Sequence, residues 1–239
     1  MRKVFEIGGI VAAAVLIAFG IASIVMSTNG QSTVKSSLKQ EQITGTPDMS
    51  PSGIAAEVKA DKAAQTKLFA QLHAAGVKMT PSPIVTPNCT VAGQAITTGA
   101  KARCFARFMR IHTFAASSGL TYSQMGRYIA ARGTPYNLTD GLGATNDPTK
   151  AAIDPTTKQP VDNGRRDLWV TYTALTTALN SSYMASQLAT FGLVVGIALL
   201  LSGVGFLILA IGGALESPKT AWSDLGKKKA LEPTTPVNA

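Results

Sequence analysis

Two uncharged apolar runs bracket a middle section that shifts between helical periodicity and turn chemistry. The first, Ile7 to Met26, holds twenty residues, almost all Ile, Val, Leu, Ala, Gly and Phe. As an α-helix rising 1.5 Å per residue it reaches about 30 Å, the thickness of a bilayer's hydrocarbon core. The second, Phe191 to Leu215, is 25 uncharged residues, long enough to cross with some tilt. Both are read as transmembrane helices. A signal peptide competes for the first run, because Arg2 and Lys3 supply a basic start. Signal cores usually span only about 7–15 residues and end in a small-residue site. This run is longer, and Ser23-Ile24-Val25-Met26-Ser27 cleaves poorly, so an uncleaved anchor is expected.

Between the runs the pattern is mostly helical. Val34 and Leu38 extend the first helix as a stalk to about Ile43, where Thr44-Gly45-Thr46-Pro47 breaks it. Ser50-Pro51 reads as a capped helix start. The helix it opens carries Ile54, Val58, Leu68, Phe69 and Leu72 and stops near Gly76. Met79 to Ile96 is the least helical stretch, interrupted by Pro81, Pro83 and Pro87, with Val91 to Ile96 as a short hairpin or loop. A further helix runs from about Gly99 to Ser117, with Cys104, Phe105, Phe108, Met109, Ile111 and Ala115 as its apolar face. A shorter one, capped by Thr121, is expected to reach Ala131. Gly133 to Asn163 is turn chemistry throughout and predicts an exposed loop.

From about Arg165 helical periodicity returns and enters the second apolar run without a proline. Leu168, Tyr172, Leu175 and Leu179 form a heptad-like seam that would meet Val34 and Leu38 in a two-helix stalk. A coiled-coil dimer would bury the same seam, so pairing within one chain and between chains both remain open. Inside the apolar runs, Ala14, Ala18 and Ala22 share one face of the first, and Gly192 and Gly196 one face of the second. Small residues at that spacing permit close helix contact.

The expected fold is therefore mainly α: an anchor over residues 1–27, a helical domain over 28–187, a second span over 188–215 and a basic tail over 216–239. Composition agrees, with 46% apolar residues and only 15% charged. Soluble domains average about 25% charged. Orientation follows the short flanks. Arg2 and Lys3 precede the first span, while Lys219 and Lys227-Lys228-Lys229 follow the second. Both termini are thus expected in the cytoplasm, with residues 28–187 outside a bacterial plasma membrane. That segment holds 16 Lys and Arg against 9 Asp and Glu.

Cys89 and Cys104, the only cysteines, both fall in it. An even count in an oxidising compartment predicts a disulfide, here tying the proline-rich loop to the Gly99 helix. Lys101, Arg103, Arg107 and Arg110 form a basic stripe on that helix. Such a stripe suits lipid headgroups or an anionic envelope polymer, or is a solvated face. Nucleic acid is a poor partner for a surface outside the cell. His73 and His112 lie on different helices, so the pattern predicts no metal centre and no cofactor. No ionisable residue interrupts either span, which argues against an ion pathway.

Three stretches resemble a family of uncharacterised actinobacterial membrane proteins: Glu41 to Met49, Thr98 to Phe105, and Leu168 to Leu209 with Asn180-Ser181-Ser182-Tyr183-Met184. Members are often labelled "aromatic ring-opening dioxygenase", after a small subunit. The resemblance implies membrane location. The label implies ferrous iron held by two His and a carboxylate. The residues themselves predict an envelope protein with an external binding or scaffold domain and no catalytic constellation. A ligand sensor or accessory subunit of a membrane complex is the alternative. A sensor would need a separate signalling partner, because only 24 residues follow the second span.

Overall fold

The computed structural model describes residues 2–133 and 143–212. Among them lie four α-helices: α1 (Arg2–Gln40), α2 (Ala55–Ala74), α3 (Gly99–Ala116) and α4 (Gly164–Ile211). A two-stranded antiparallel sheet pairs β1 (Tyr128–Ile129) with β2 (Ala144–Thr145), Tyr128 opposite Thr145. Internal contacts divide the chain into two compact units, and both long helices contribute to each. The tail lysines, Lys219 and Lys227 to Lys229, and the end of the second span lie outside the described residues, as does part of the Gly133 to Asn163 loop.

The first unit pairs the N-terminal part of α1 with the C-terminal part of α4. Both are long and apolar enough to cross a membrane. They run antiparallel with backbones nearly touching. A Cβ on Gly20 would lie 2.8 Å from the Leu200 nitrogen, and one on Gly196 would lie 2.9 Å from the Gly20 carbonyl oxygen. A Cβ on Gly203 would meet the Ala13 carbonyl oxygen at 3.0 Å. The Ser23 hydroxyl donates across the pair to the Gly192 carbonyl at 2.7 Å. Gly192 and Gly196 therefore do sit at the contact.

On α1 the contact stripe is Ala13, Gly20 and Ser27, all buried, whereas Ala14, Ala18 and Ala22 are exposed. The geometry of long paired helices explains this correction. Steps of four residues advance about 40° around a helix, but steps of seven return to within about 20° of the starting direction. On α4 the buried Gly196, Gly203 and Ala210 keep the same seven-residue interval.

The second unit, Gly30–Leu188, is built around α3. Thr98 caps it by accepting from the Lys101 amide at 3.3 Å. Phe108, Ile111 and Phe114 are fully buried, together with Met49, Ile54, Val91 and Ile96. The long helices contribute Leu38, Trp169 and Leu179 to the same core. Of the expected apolar face, Ala115 is exposed, and Phe114 takes the buried position instead. The seam on α4 also shifts. Leu168 is exposed, and Trp169 is buried in its place. The Trp169 indole N–H donates to the Ser117 hydroxyl at 3.1 Å and to the Leu120 carbonyl at 2.9 Å, and its ring meets Phe114 edge-on at 5.2 Å. An aromatic with a polar handle is held where both can be satisfied.

α2 ends as expected at Gly76, whose φ of +80° lets the Gly76 amide reach the His73 carbonyl and the Val77 amide the Leu72 carbonyl. Its start is later than expected. The Ser50 hydroxyl accepts from the Gly53 amide at 3.0 Å and so closes a turn, and regular helix begins at Ala55. Val91 to Ile96 forms a turn docked on the end of the stalk: the Gly45 amide donates to the Gln94 carbonyl and the Ile96 amide to the Ile43 carbonyl. A Cβ on Gly45 would collide with the Val91 carbonyl oxygen, so only glycine allows that approach.

Two further expectations are corrected. The Thr121 helix is a three-residue 3-10 turn, Tyr122–Gln124. The Gln124 side chain closes it by accepting from the Thr121 amide at 2.9 Å, and the chain then extends into β1. The loop that follows is ordered over its described part. β2 pairs with β1, Ala130 bridges to Ala151, and Ile153 bridges to Pro160. Asp154 folds its turn by accepting from the Thr156 and Thr157 amides at 2.7 and 2.8 Å.

Candidate functional site

The described residues of the second unit offer three places where side chains converge. The first is an ionisable cluster. His112, on α3, presents Nδ1 to Glu57 Oε1 at 3.0 Å and Nε2 to Asp48 Oδ2 at 3.3 Å. Glu57 belongs to the first turn of α2, and Asp48 to the loop after the stalk. That loop is pinned by the buried Met49, whose amide donates to the Thr46 carbonyl at 3.0 Å. The ligand atoms of Asp48, Glu57 and His112 all lie within 4.8 Å of one another.

Asp61 stands one turn beyond Glu57 on α2, and its Oδ2 is buried with no hydrogen-bond partner. Burial, then the Glu57 carboxylate, push the Asp61 pKa above its ordinary value, with His112 opposing them. Asp48 is held below its ordinary value, chiefly by the Thr46 hydroxyl, with lesser help from its own backbone amide and His112.

The sequence reading expects no metal centre from two histidines on different helices; the structure sets two carboxylates beside His112. Residues 48, 57 and 112 come from a loop and two helices, so no local spacing announces the set. One partial signal was present: Glu57 and Asp61 sit at i, i+4, the interval that places two carboxylates on one helix face. His73 does not join them, and its Nε2 lies 2.8 Å from the Met79 carbonyl oxygen. One imidazole and several carboxylates do not fit the two-His, one-carboxylate iron site implied by the dioxygenase label.

The second place is a cavity of about 400 Å³. Leu68, Leu72, Val77, Met79, Leu120 and Met125 give it an apolar wall, and Gln124, Asn146, Asp147 and Lys150 supply polar groups. Asp147 and Lys150 pair with each other at 3.4 Å. The Thr149 hydroxyl and amide hold the Asp147 carboxyl below its usual pKa. An apolar wall with a few fixed polar groups is the general character of small-molecule sites.

The third is the basic stripe on α3, whose members each take a partner within the chain. The Arg103 guanidinium stacks over Tyr183 at 4.5 Å, and Arg110 over Phe114 at 4.9 Å and Trp169 at 5.7 Å. Arg107 donates to the Asn88 side chain at 3.0 Å, and Lys101 to the Ala95 carbonyl at 3.4 Å. An anion approaching the stripe would compete with these contacts. The packing of α3 on α4 beneath them is tight, since a Cβ on Gly99 would lie 2.8 Å from the Tyr183 Cα.

Beside Asn88, Cys89 and Cys104 are joined by a disulfide with their Cα atoms 6.1 Å apart, as the sequence predicts. It fastens the proline-rich segment to the second turn of α3. No protein-family model, curated protein or solved structure matches this chain.

Proposed function

We propose that this is a two-span membrane protein whose segment 28–187 lies outside the cytoplasm and acts as a binding or scaffold module of the bacterial envelope, without catalysis of its own. One observation carries the membrane reading: the outward faces of the paired apolar helices. Ile7, Val11, Phe19, Val25, Leu188, Phe191, Leu201 and Ile208 are all at least half exposed. A water-soluble surface rarely carries an apolar expanse of that extent. Hydrocarbon solvates it without cost. The flanking Arg2 and Lys3, and Lys219 with Lys227 to Lys229, favour cytoplasmic termini. The disulfide suits an oxidising exterior.

The cavity beneath Gln124 and Asn146 favours a second reading, a ligand sensor or accessory subunit that passes its state to another membrane protein. The family label adds no residues of its own to either reading. Alkaline carbonate extraction of membranes tests the first claim. The protein should stay in the pellet with the bilayer, and release into the supernatant would refute membrane integration.

A further inference from the structure

We propose that Asp48, Glu57 and His112 form a divalent transition-metal site of the zinc type, clamping the post-stalk loop to α2 and α3. The argument begins with donors and acceptors. A neutral imidazole has one N–H and one acceptor nitrogen. Here carboxylate oxygens face both ring nitrogens, at 3.0 and 3.3 Å. On a neutral ring one of those nitrogens turns a lone pair toward a carboxylate oxygen, an arrangement that a cation bound between the two would relieve.

The surroundings favour the ion. A third carboxylate, Asp61, brings a buried oxygen that no hydrogen bond satisfies. Among the described residues no Lys or Arg forms an ion pair with any of the three acids. No basic side chain among the described residues therefore balances these acids.

The distances suit such an ion. Zinc–nitrogen and zinc–oxygen bonds run about 2.0–2.2 Å, which in a tetrahedral site places neighbouring ligand atoms roughly 3.3–3.6 Å apart. His112 Nε2 and Asp48 Oδ2 already stand at 3.3 Å. Glu57 completes the set through a side-chain rotation, because all three ligand atoms lie within 4.8 Å. The side chains of His112, Asp48 and Glu57 are 29%, 38% and 31% exposed, so an ion reaches them from solvent. An imidazole among carboxylates selects zinc, manganese or ferrous iron over calcium and magnesium.

The test uses the full chain in detergent, stripped with a chelator and titrated with zinc chloride by calorimetry. One zinc per chain is expected, with affinity at least tenfold weaker in His112→Gln and in Asp48→Asn and unchanged in His73→Gln. Equal affinity in all four proteins would overturn the proposal, as would no binding to the wild type. A second readout does not depend on the variants folding. The chain has only two histidines, so their ring resonances are readily told apart by NMR. Zinc should shift those of His112 and leave His73 in place. A shift confined to His73, or none, would equally overturn it. Calcium should move neither, and an equal response to calcium would contradict a nitrogen-ligated site.

Discussion

Asp61 illustrates how one side chain can carry a cost that its position alone does not reveal. Its carboxyl is half-buried on α2, next to Glu57, with one oxygen lacking any partner. Burial raises its pKa in the folded protein above the ordinary value that it keeps in the unfolded chain. Below that value both folded and unfolded chains hold the proton, so the group is neutral toward stability. As pH rises from there through the raised folded value, the unfolded chain ionises more easily and the folded state is penalised. Asp61→Asn should therefore raise the melting temperature of metal-free protein near pH 7 and leave it unchanged near pH 3. Melting curves at the two pH values check this, and an equal shift at both would remove ionisation as the cause. Asp48 has the opposite sign, since its depressed pKa adds stability that is lost as the solution turns acidic. Apart from the Glu57–Asp61 spacing, none of this was legible residue by residue. Asp48, Glu57 and His112 meet only once a loop and two helices are folded together, and sequence spacing records neighbours along a helix, not across one.

At the scale of elements, the local signals were strongest where a single helix answers to its own periodicity. The face of α2 from Val58 to Leu72, its stop near Gly76, the Gly99 start of α3 and the unbroken course of α4 were all readable, because apolar stripes and helix ends are properties of one segment. The α1 contact face was not, because the partner decides between Ala14-Ala18-Ala22 and Ala13-Gly20-Ser27. The difference gives a paired test. Gly20→Leu forces a side chain into the Leu200 backbone and should cost about 1–3 kcal/mol, typical of overpacking. Ala18→Leu lies on the outward face and should cost little. Thermal loss of helical circular dichroism in mild detergent compares them, and equal effects would refute the assigned face. The short sheet escaped the sequence reading for a similar reason. β1 and β2 have only two residues each, too few for an alternating pattern, and they are held by each other and by bridges from 151 and 162. The Cys89–Cys104 bond encloses about 15 residues, worth roughly 3 kcal/mol in the chain-entropy model. Cys89→Ala with Cys104→Ala should lose about that much in denaturant titrations. Reductant should bring the wild type to the same midpoint and leave the variant unmoved. A wild type insensitive to reductant would contradict a stabilising role.

For the whole molecule, the two apolar runs were the plainest message in the sequence, since they depend on composition and length alone, and the structure forms the first as a helix and the second as a helix to Ile211. What those helices are for is a question of where the second unit resides. On the reading proposed above, its disulfide, its cavity and its ionisable cluster lie outside the cytoplasm. Lys150 is a suitable reporter, with a side chain 54% exposed on the 3-10 turn beside β2. A cysteine placed there, in an otherwise Cys89→Ala and Cys104→Ala chain, can be challenged in intact cells with a membrane-impermeant maleimide. Ser223→Cys in the tail serves as the internal counterpart. The account predicts that position 150 reacts in whole cells and position 223 only after lysis. Labelling of position 150 only in lysed cells would contradict it.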